Sequence, residues 1–230
     1  MQTGMILNAM ICFSIFIFSL LTSLSIWRKK KNQADIAFAI FWLAVAITWL
    51  FVAISLMLYK YGFFSYDILL NQYGVQIAIS LEIIAGIFYA VNRVTKSRII
   101  SWFITAIFCF ISAISLAYNF MPGSMSYYGN SFFSVEYSMS PVTWNLFQIM
   151  FVCVILVILF DLLRNYYFWL KNKKLYEQKY LIVGLAASIY GVIGYFDQQG
   201  QLVIWISLLL RSAIIFIAGI VYLAYNEQDI

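Results

Sequence analysis

Apolar residues in this chain come in long, nearly uncharged runs, in place of the short alternating or 3.6-periodic stripes of a soluble domain. Seven runs, roughly 5–27, 36–59, 68–91, 99–119, 142–163, 179–196 and 202–225, are separated by short polar segments. Runs of about 20 residues cover the ~30 Å hydrocarbon core of a bilayer as helix. The sixth is the shortest: "KYLIVGLAASIYGVIGYFDQQGQ" carries Gly184, Gly191 and Gly194, which weaken an isolated helix but suit close helix packing in lipid. The pattern predicts an all-α polytopic membrane protein, a single seven-transmembrane-helix bundle over residues 1–230.

Composition supports this and narrows it. Hydrophobic residues make up 64% of the chain and charged residues 10%, against about 25% charged in an average soluble domain. With seven spans and short links, 230 residues leave no room for an appended soluble domain. Lys and Arg then orient the bundle. Arg28 to Lys31 follow the first run, Arg93, Lys96 and Arg98 the third, and Arg164, Lys171, Lys173, Lys174 and Lys179 the fifth. Lys60 lies in a loop of the opposite side and Arg211 within a run. Because basic loops stay cytoplasmic, the amino terminus is expected outside and the carboxyl terminus inside, in a plasma membrane. The cluster "WRKKK" follows the first run instead of preceding it, so that run reads as a retained span and not a cleaved signal. The net charge of +5 comes from these loops. It points to contact with anionic lipid and not to nucleic acid.

The longest link, "MPGSMSYYGNSFFSVEYSMSP" (121–141), lies on the outer side between Pro122 and Pro141. Two strand-like pieces flanking Gly129 and Asn130 predict a β-hairpin capping the bundle. It is either a lid over a pocket or a filler between helix ends. After the fifth run, "RNYYFWLKNKKLYEQK" alternates aromatics and lysines, as expected of a helix at the cytoplasmic interface, where a partner protein could dock. Trp27, Trp102, Trp144 and Trp169 fall near predicted helix ends, where indoles anchor in the headgroup zone.

Candidate chemistry is sparse. The chain has no histidine, which removes the commonest haem, zinc and copper ligand and the usual general base near neutral pH. No phosphate-binding glycine loop is present, and Cys12, Cys109 and Cys153 each fall inside a span, where no disulfide is expected. The expectation is a non-enzyme with no catalytic, cofactor or metal residues.

The anomalies are polar groups at membrane depth. Arg211 sits inside "LVIWISLLLRSAIIFIAGIVYLAY", and Glu82 inside "YGVQIAISLEIIAGIFYAV". Both helices run from outside to inside, and the two charges lie at depths that differ by roughly 5 Å at about 1.5 Å per residue. An Arg211–Glu82 pair, direct or through one polar residue or water, would leave neither charge isolated in a low dielectric. The alternative for Glu82 is a protonated acid among Ser and Tyr hydroxyls. In the outer half, Gln72 and Gln76 share a face, as do Asn145 and Gln148. With Tyr190, and with Tyr73, Gly74, Tyr195, Trp205 and Ser207 at similar depth, they make up either a pocket opening outward or an ordinary interhelical polar core. Asp161 and Arg164 form an expected pair near the inner end of the fifth span.

The spans contain no proline, and the halves carry no matching Gly or Pro breaks, which counts against a transporter built from interrupted helices. The seventh run has no lysine, so a retinal Schiff base of the microbial-rhodopsin kind is excluded there. The segments "WRKKKNQADIAFAIFWLAVAITWL" and "LFQIMFVCVILVILFDLLRNYYFWLKNKKLYEQKYLIVGLAASIYGVIG" resemble the seven-helix membrane sensory domains of prokaryotic histidine kinases. They share a basic turn leading to a Trp-bearing second helix and a basic entry to the sixth. The resemblance implies a sensor or receptor-like binding module in a prokaryotic plasma membrane. Such a module recognises a small-molecule ligand or a membrane state. Because the chain stops at Ile230 without a kinase or cyclase domain, it implies signalling through a separate protein partner. A small-solute transporter and an accessory subunit of a membrane complex are the alternatives.

Overall fold

The computed structural model describes residues 2–30, 32–130, 135–172, 175–198 and 204–226. The apolar runs are helical as expected: α1 (Gln2–Arg28), α2 (Gln33–Lys60), α3 (Phe64–Thr95), α4 (Arg98–Asn119), α5 (Pro141–Asn172), α6 (Leu175–Gln198) and α7 (Ile204–Asn226). Among the described residues six are long and apolar enough to cross a membrane, and the apolar part of α6, Leu181–Asp197, is shorter. The chain is a polytopic helical bundle.

Local chemistry sets the helix ends. Asn32 caps α2 by accepting the Asp35 amide at 2.9 Å, and Ser97 caps α4 through the Ile100 amide. Lys96 closes α3 in the left-handed region at φ 54°, and Pro141 occupies the first turn of α5, where its missing N–H costs nothing. Gly62, at φ 82°, turns the tight α2–α3 link. Two elements are longer than their apolar runs. α5 continues to Asn172, so its aromatic–basic stretch projects from the membrane as helix by roughly 13 Å. α3 begins at Phe64 and passes through a π-helical segment, Leu70–Val75.

Side-by-side contacts close a ring in the order α1, α2, α3, α5, α6, α7 and back to α1, while α4 packs outside against α3 and α5. Burial follows that arrangement: 78% of the most apolar stretch of α3 is buried, against 22% for α4, which leaves Phe103 and Phe110 to lipid. Aromatic residues fill the ring. Phe38 stacks on Tyr89 at 4.4 Å and meets Tyr225, and Trp42, fully buried, packs on Phe41 and Tyr190. Glycine brings α5 and α6 together as expected: a Cβ on Gly191 would lie 2.9 Å from Ile155 Cγ1.

The outer link folds as a two-stranded antiparallel hairpin, β1 (Ser126–Asn130) with β2 (Val135–Ser138). Its register corrects one expectation. Gly129 and Asn130 belong to β1, opposite Glu136 and Val135, and do not form the turn; an irregularity between Tyr127 and Gly129 takes up the extra residue. The connection, 131–134, lies outside the described residues.

Candidate functional site

Polar groups gather at three depths, and α3 takes part in each. At the outer end Asp67, fully buried, accepts four side-chain hydrogen bonds. Ser55 Oγ (2.5 Å) and Asn71 Nδ2 (3.0 Å) donate to Oδ1; Tyr127 and Tyr137 of the hairpin, both at 2.7 Å, donate to Oδ2. The two hairpin tyrosines face each other across the strands, and Tyr127 closes an aromatic cluster with Tyr59 and Phe64. Burial, and next to it the Asp67 carboxylate, push both phenols above their ordinary range. They therefore stay protonated as donors. This cluster was not evident in the sequence, where Asp67 preceded the apolar run.

Gln72 fastens the base of the same link. Its Nε2 donates to the carbonyls of Asn119 (2.7 Å) and Met121 (3.3 Å) and to Ser124 Oγ (3.1 Å), and Asn119 Nδ2 returns a bond to the Gln72 carbonyl at 2.6 Å. Gln72 sits in the π-helical segment, where the ordinary i→i+4 ladder is interrupted and a carbonyl becomes available to an outside donor. Gln76 is buried, but its Oε1 has no hydrogen-bond partner among the described residues.

In the membrane interior the expected Arg211–Glu82 pair is replaced by another. Arg211 clasps Asp197, Nε to Oδ1 at 2.9 Å and Nη2 to Oδ2 at 3.0 Å, and Ser207 Oγ donates to the same carboxylate at 3.0 Å. The reason lies in side-chain direction. A helical Cα–Cβ bond tilts toward the amino terminus, which on α7 is the outer end. The long arginine therefore reaches outward to the end of α6 and not down to Glu82. The guanidinium lies 5.5 Å from the Trp49 ring, within cation–π range, and beside Cys12. Its Nη1 keeps no hydrogen-bond partner among the described residues.

Glu82, buried, faces the hydroxyls of Thr48 and Tyr190, an arrangement close to the alternative reading of an acid among hydroxyls. Tyr190 in turn faces the Trp49 indole nitrogen, which does not reach hydrogen-bond geometry. Glu82, Tyr190, Trp49, Arg211 and Asp197 thus form one buried chain of neighbours across α3, α6, α2 and α7.

Two predicted members do not join it. Asn145 is exposed on the outer part of α5 and Gln148 is only half-buried. The spacing correctly put both on one side of the helix, but the buried face is that of Thr143, Phe147 and Met150. The Trp205 side chain lies outside the described residues.

At the inner end Arg164 and Asp161 pair as expected, at 2.6 Å, with Arg93 Nε at 3.5 Å. Arg164 also donates to the carbonyls of Val94 and Arg93, both at 2.6 Å, and so caps the last turn of α3 where the helix dipole favours a cation. No protein-family model matches this chain, nor does any curated protein or solved structure.

Proposed function

We propose that the chain is a non-enzymatic sensor of a prokaryotic plasma membrane, which responds to a small ligand or membrane state at its outer face and signals through a separate cytoplasmic protein. One observation carries this reading: α3, the most buried of the long apolar helices, is fastened by hydrogen bonds at both ends. Asp67 and Gln72 tie it to the outer hairpin and its base, Arg164 with Asp161 ties it to the basic inner end, and between them Glu82 faces Thr48 and Tyr190. A helix gripped in this way conveys a displacement at one end to the other. The π-helical segment directly below the outer clamp offers a change of register, and such segments recur at functional sites. In the centre, Arg211 Nη1 and the Trp42 indole N–H remain as buried donors for a ligand that carries an acceptor. Transport fits less well, because a path through the ring must displace Phe38, Trp42 and Tyr190. The exposed aromatic and basic surface of α5 beyond the membrane, with Tyr167 and Leu170, suits a protein partner.

The test is coupling across the membrane. Cys12, Cys109 and Cys153 are replaced, and Lys96→Cys reports on the inner end of α3. Asp67→Asn, which disrupts the outer clamp, should change the labelling rate at position 96 several-fold and leave a cysteine at position 30, after α1, unchanged. If the hairpin loosens while both rates stay constant, α3 does not transmit and the sensor reading fails.

A further inference from the structure

On the lipid-facing side of the bundle, away from the polar chain, a groove of about 540 Å³ runs between α1 and α2. It arises where two small residues meet: Ala9 and Ala53 are buried at its floor, while Phe13 and Ile54 stand as half-exposed walls and Tyr61 and Phe63 close its outer end. Its volume is that of a ligand pocket, and its lining is almost entirely apolar. We infer that this groove binds one anionic phospholipid of the outer leaflet, with an acyl chain on Ala9 and Ala53 and the phosphate at Lys60.

Two observations choose this occupant. The first is length. The lining spans residues 6–14 of α1 and 50–58 of α2, about 12 Å at 1.5 Å per residue. Half of the ~30 Å hydrocarbon core is about 15 Å, so the groove matches one leaflet. A second transmembrane helix would need a strip twice as long. The second is charge. Lys60 ends α2 beside Tyr61 of the groove's lining, its Nζ 4.8 Å from that ring, and it is the single Lys or Arg in the links on that side. Among the described residues no carboxylate pairs with it. An ammonium at headgroup level beside an aromatic rim, above an apolar trough one leaflet deep, is complementary to a phosphate with its acyl chain and to nothing longer.

Native mass spectrometry of the purified full chain, titrated in detergent with dioleoyl phosphatidylglycerol or dioleoyl phosphatidylcholine, tests the site. The wild type should retain one phosphatidylglycerol with a preference of about fivefold over phosphatidylcholine, which is what one lysine near an anionic headgroup supplies. Lys60→Gln should abolish the preference and keep residual binding of both. Ile54→Trp, or Met10→Trp from the opposite wall should the first fail to fold, should fill the groove and remove both. Ile107→Trp, at a lipid-facing position of α4 outside the groove, should bind as the wild type does. The inference is overturned if Lys60→Gln keeps the preference, if the wild type shows none, if the groove-filling variants bind like Ile107→Trp, or if the wild type is a dimer that Ile54→Trp dissociates.

Discussion

Removing either member of the Arg211–Asp197 pair strands the other inside the bundle. The two side chains are 11% and 12% exposed, so water replaces little of what is lost. Breaking a buried pair from one side costs about 3–5 kcal/mol. The lower figure applies here, because Ser207 still donates to Asp197 and the Trp49 ring still faces Arg211. Arg211→Leu and Asp197→Leu should therefore each cost about 3 kcal/mol, or roughly 6–12 °C in Tm for a chain of this size. The double variant strands neither charge and should cost less than either single change, a coupling of about 3 kcal/mol or more. Thermal melting of the variants in one detergent measures this. The same cycle between Arg211→Leu and Glu82→Leu should be additive to within ~0.5 kcal/mol, because Glu82 faces Thr48 and Tyr190. Additive losses for Asp197 together with coupling for Glu82 would refute the assignment and restore the pairing expected from depth alone.

Three further outcomes follow from the geometry. Tyr137→Phe removes one of two donors to Asp67 Oδ2 and should speed proteolysis of the 121–140 link from outside, with a cost of about 1–3 kcal/mol for the buried acceptor. The folded hairpin raises the pKa of both tyrosines above the unfolded value near 10, so their contribution is full below pH 10 and lost as the pH rises beyond it; cleavage of the wild-type link should be constant from pH 7 to about 9.5 and accelerate above about pH 10. Gly191→Ala should destabilise by about 1–3 kcal/mol through its clash with Ile155, and Ile155→Ala should recover part of the loss in a melting experiment.

What the sequence made legible follows from how the constraints act. Lipid demands long apolar helices, so the spans could be read from hydropathy alone, and Arg211 and Glu82 stood out because ionisable groups at that depth are costly. Their partners depend on side-chain direction. Depth reckoned along the backbone paired Arg211 with Glu82, while Asp197, just past the apolar run of α6, read as a link residue. Tyr190 was marked as polar core and does face Glu82; Thr48, one hydroxyl within an apolar α2, carried no distinguishing signal. The Asn145–Gln148 spacing defined a helix face without saying which face turns inward. Asp67 was hidden for another reason: its hairpin partners Tyr127 and Tyr137 are 60 and 70 residues away, and no local pattern relates them.

The manner in which the outer link is fastened bears on how it acts. Asp67 and Asn71, four apart, lie on one side of α3 and hold Ser55 and the hairpin strands. Gln72, one residue on, turns away and holds Asn119, Met121 and Ser124, where the link leaves α4. The link is therefore tied to two successive faces of one helix, at its base and across its strands, and both ties fall within or just above the π-helical segment. Gly74 in that segment lets α3 approach α2 closely, since a Cβ there would lie 3.1 Å from the Phe51 ring. A force on the hairpin thus enters α3 at the turn whose hydrogen-bond register is least regular. Return of that turn to an α-helical register would rotate every residue below it, Glu82 included, relative to the outer clamp. In the sensor reading proposed above, the hairpin would serve as a handle on α3; the bonds themselves make it a cover for the outer ends of α2 and α3.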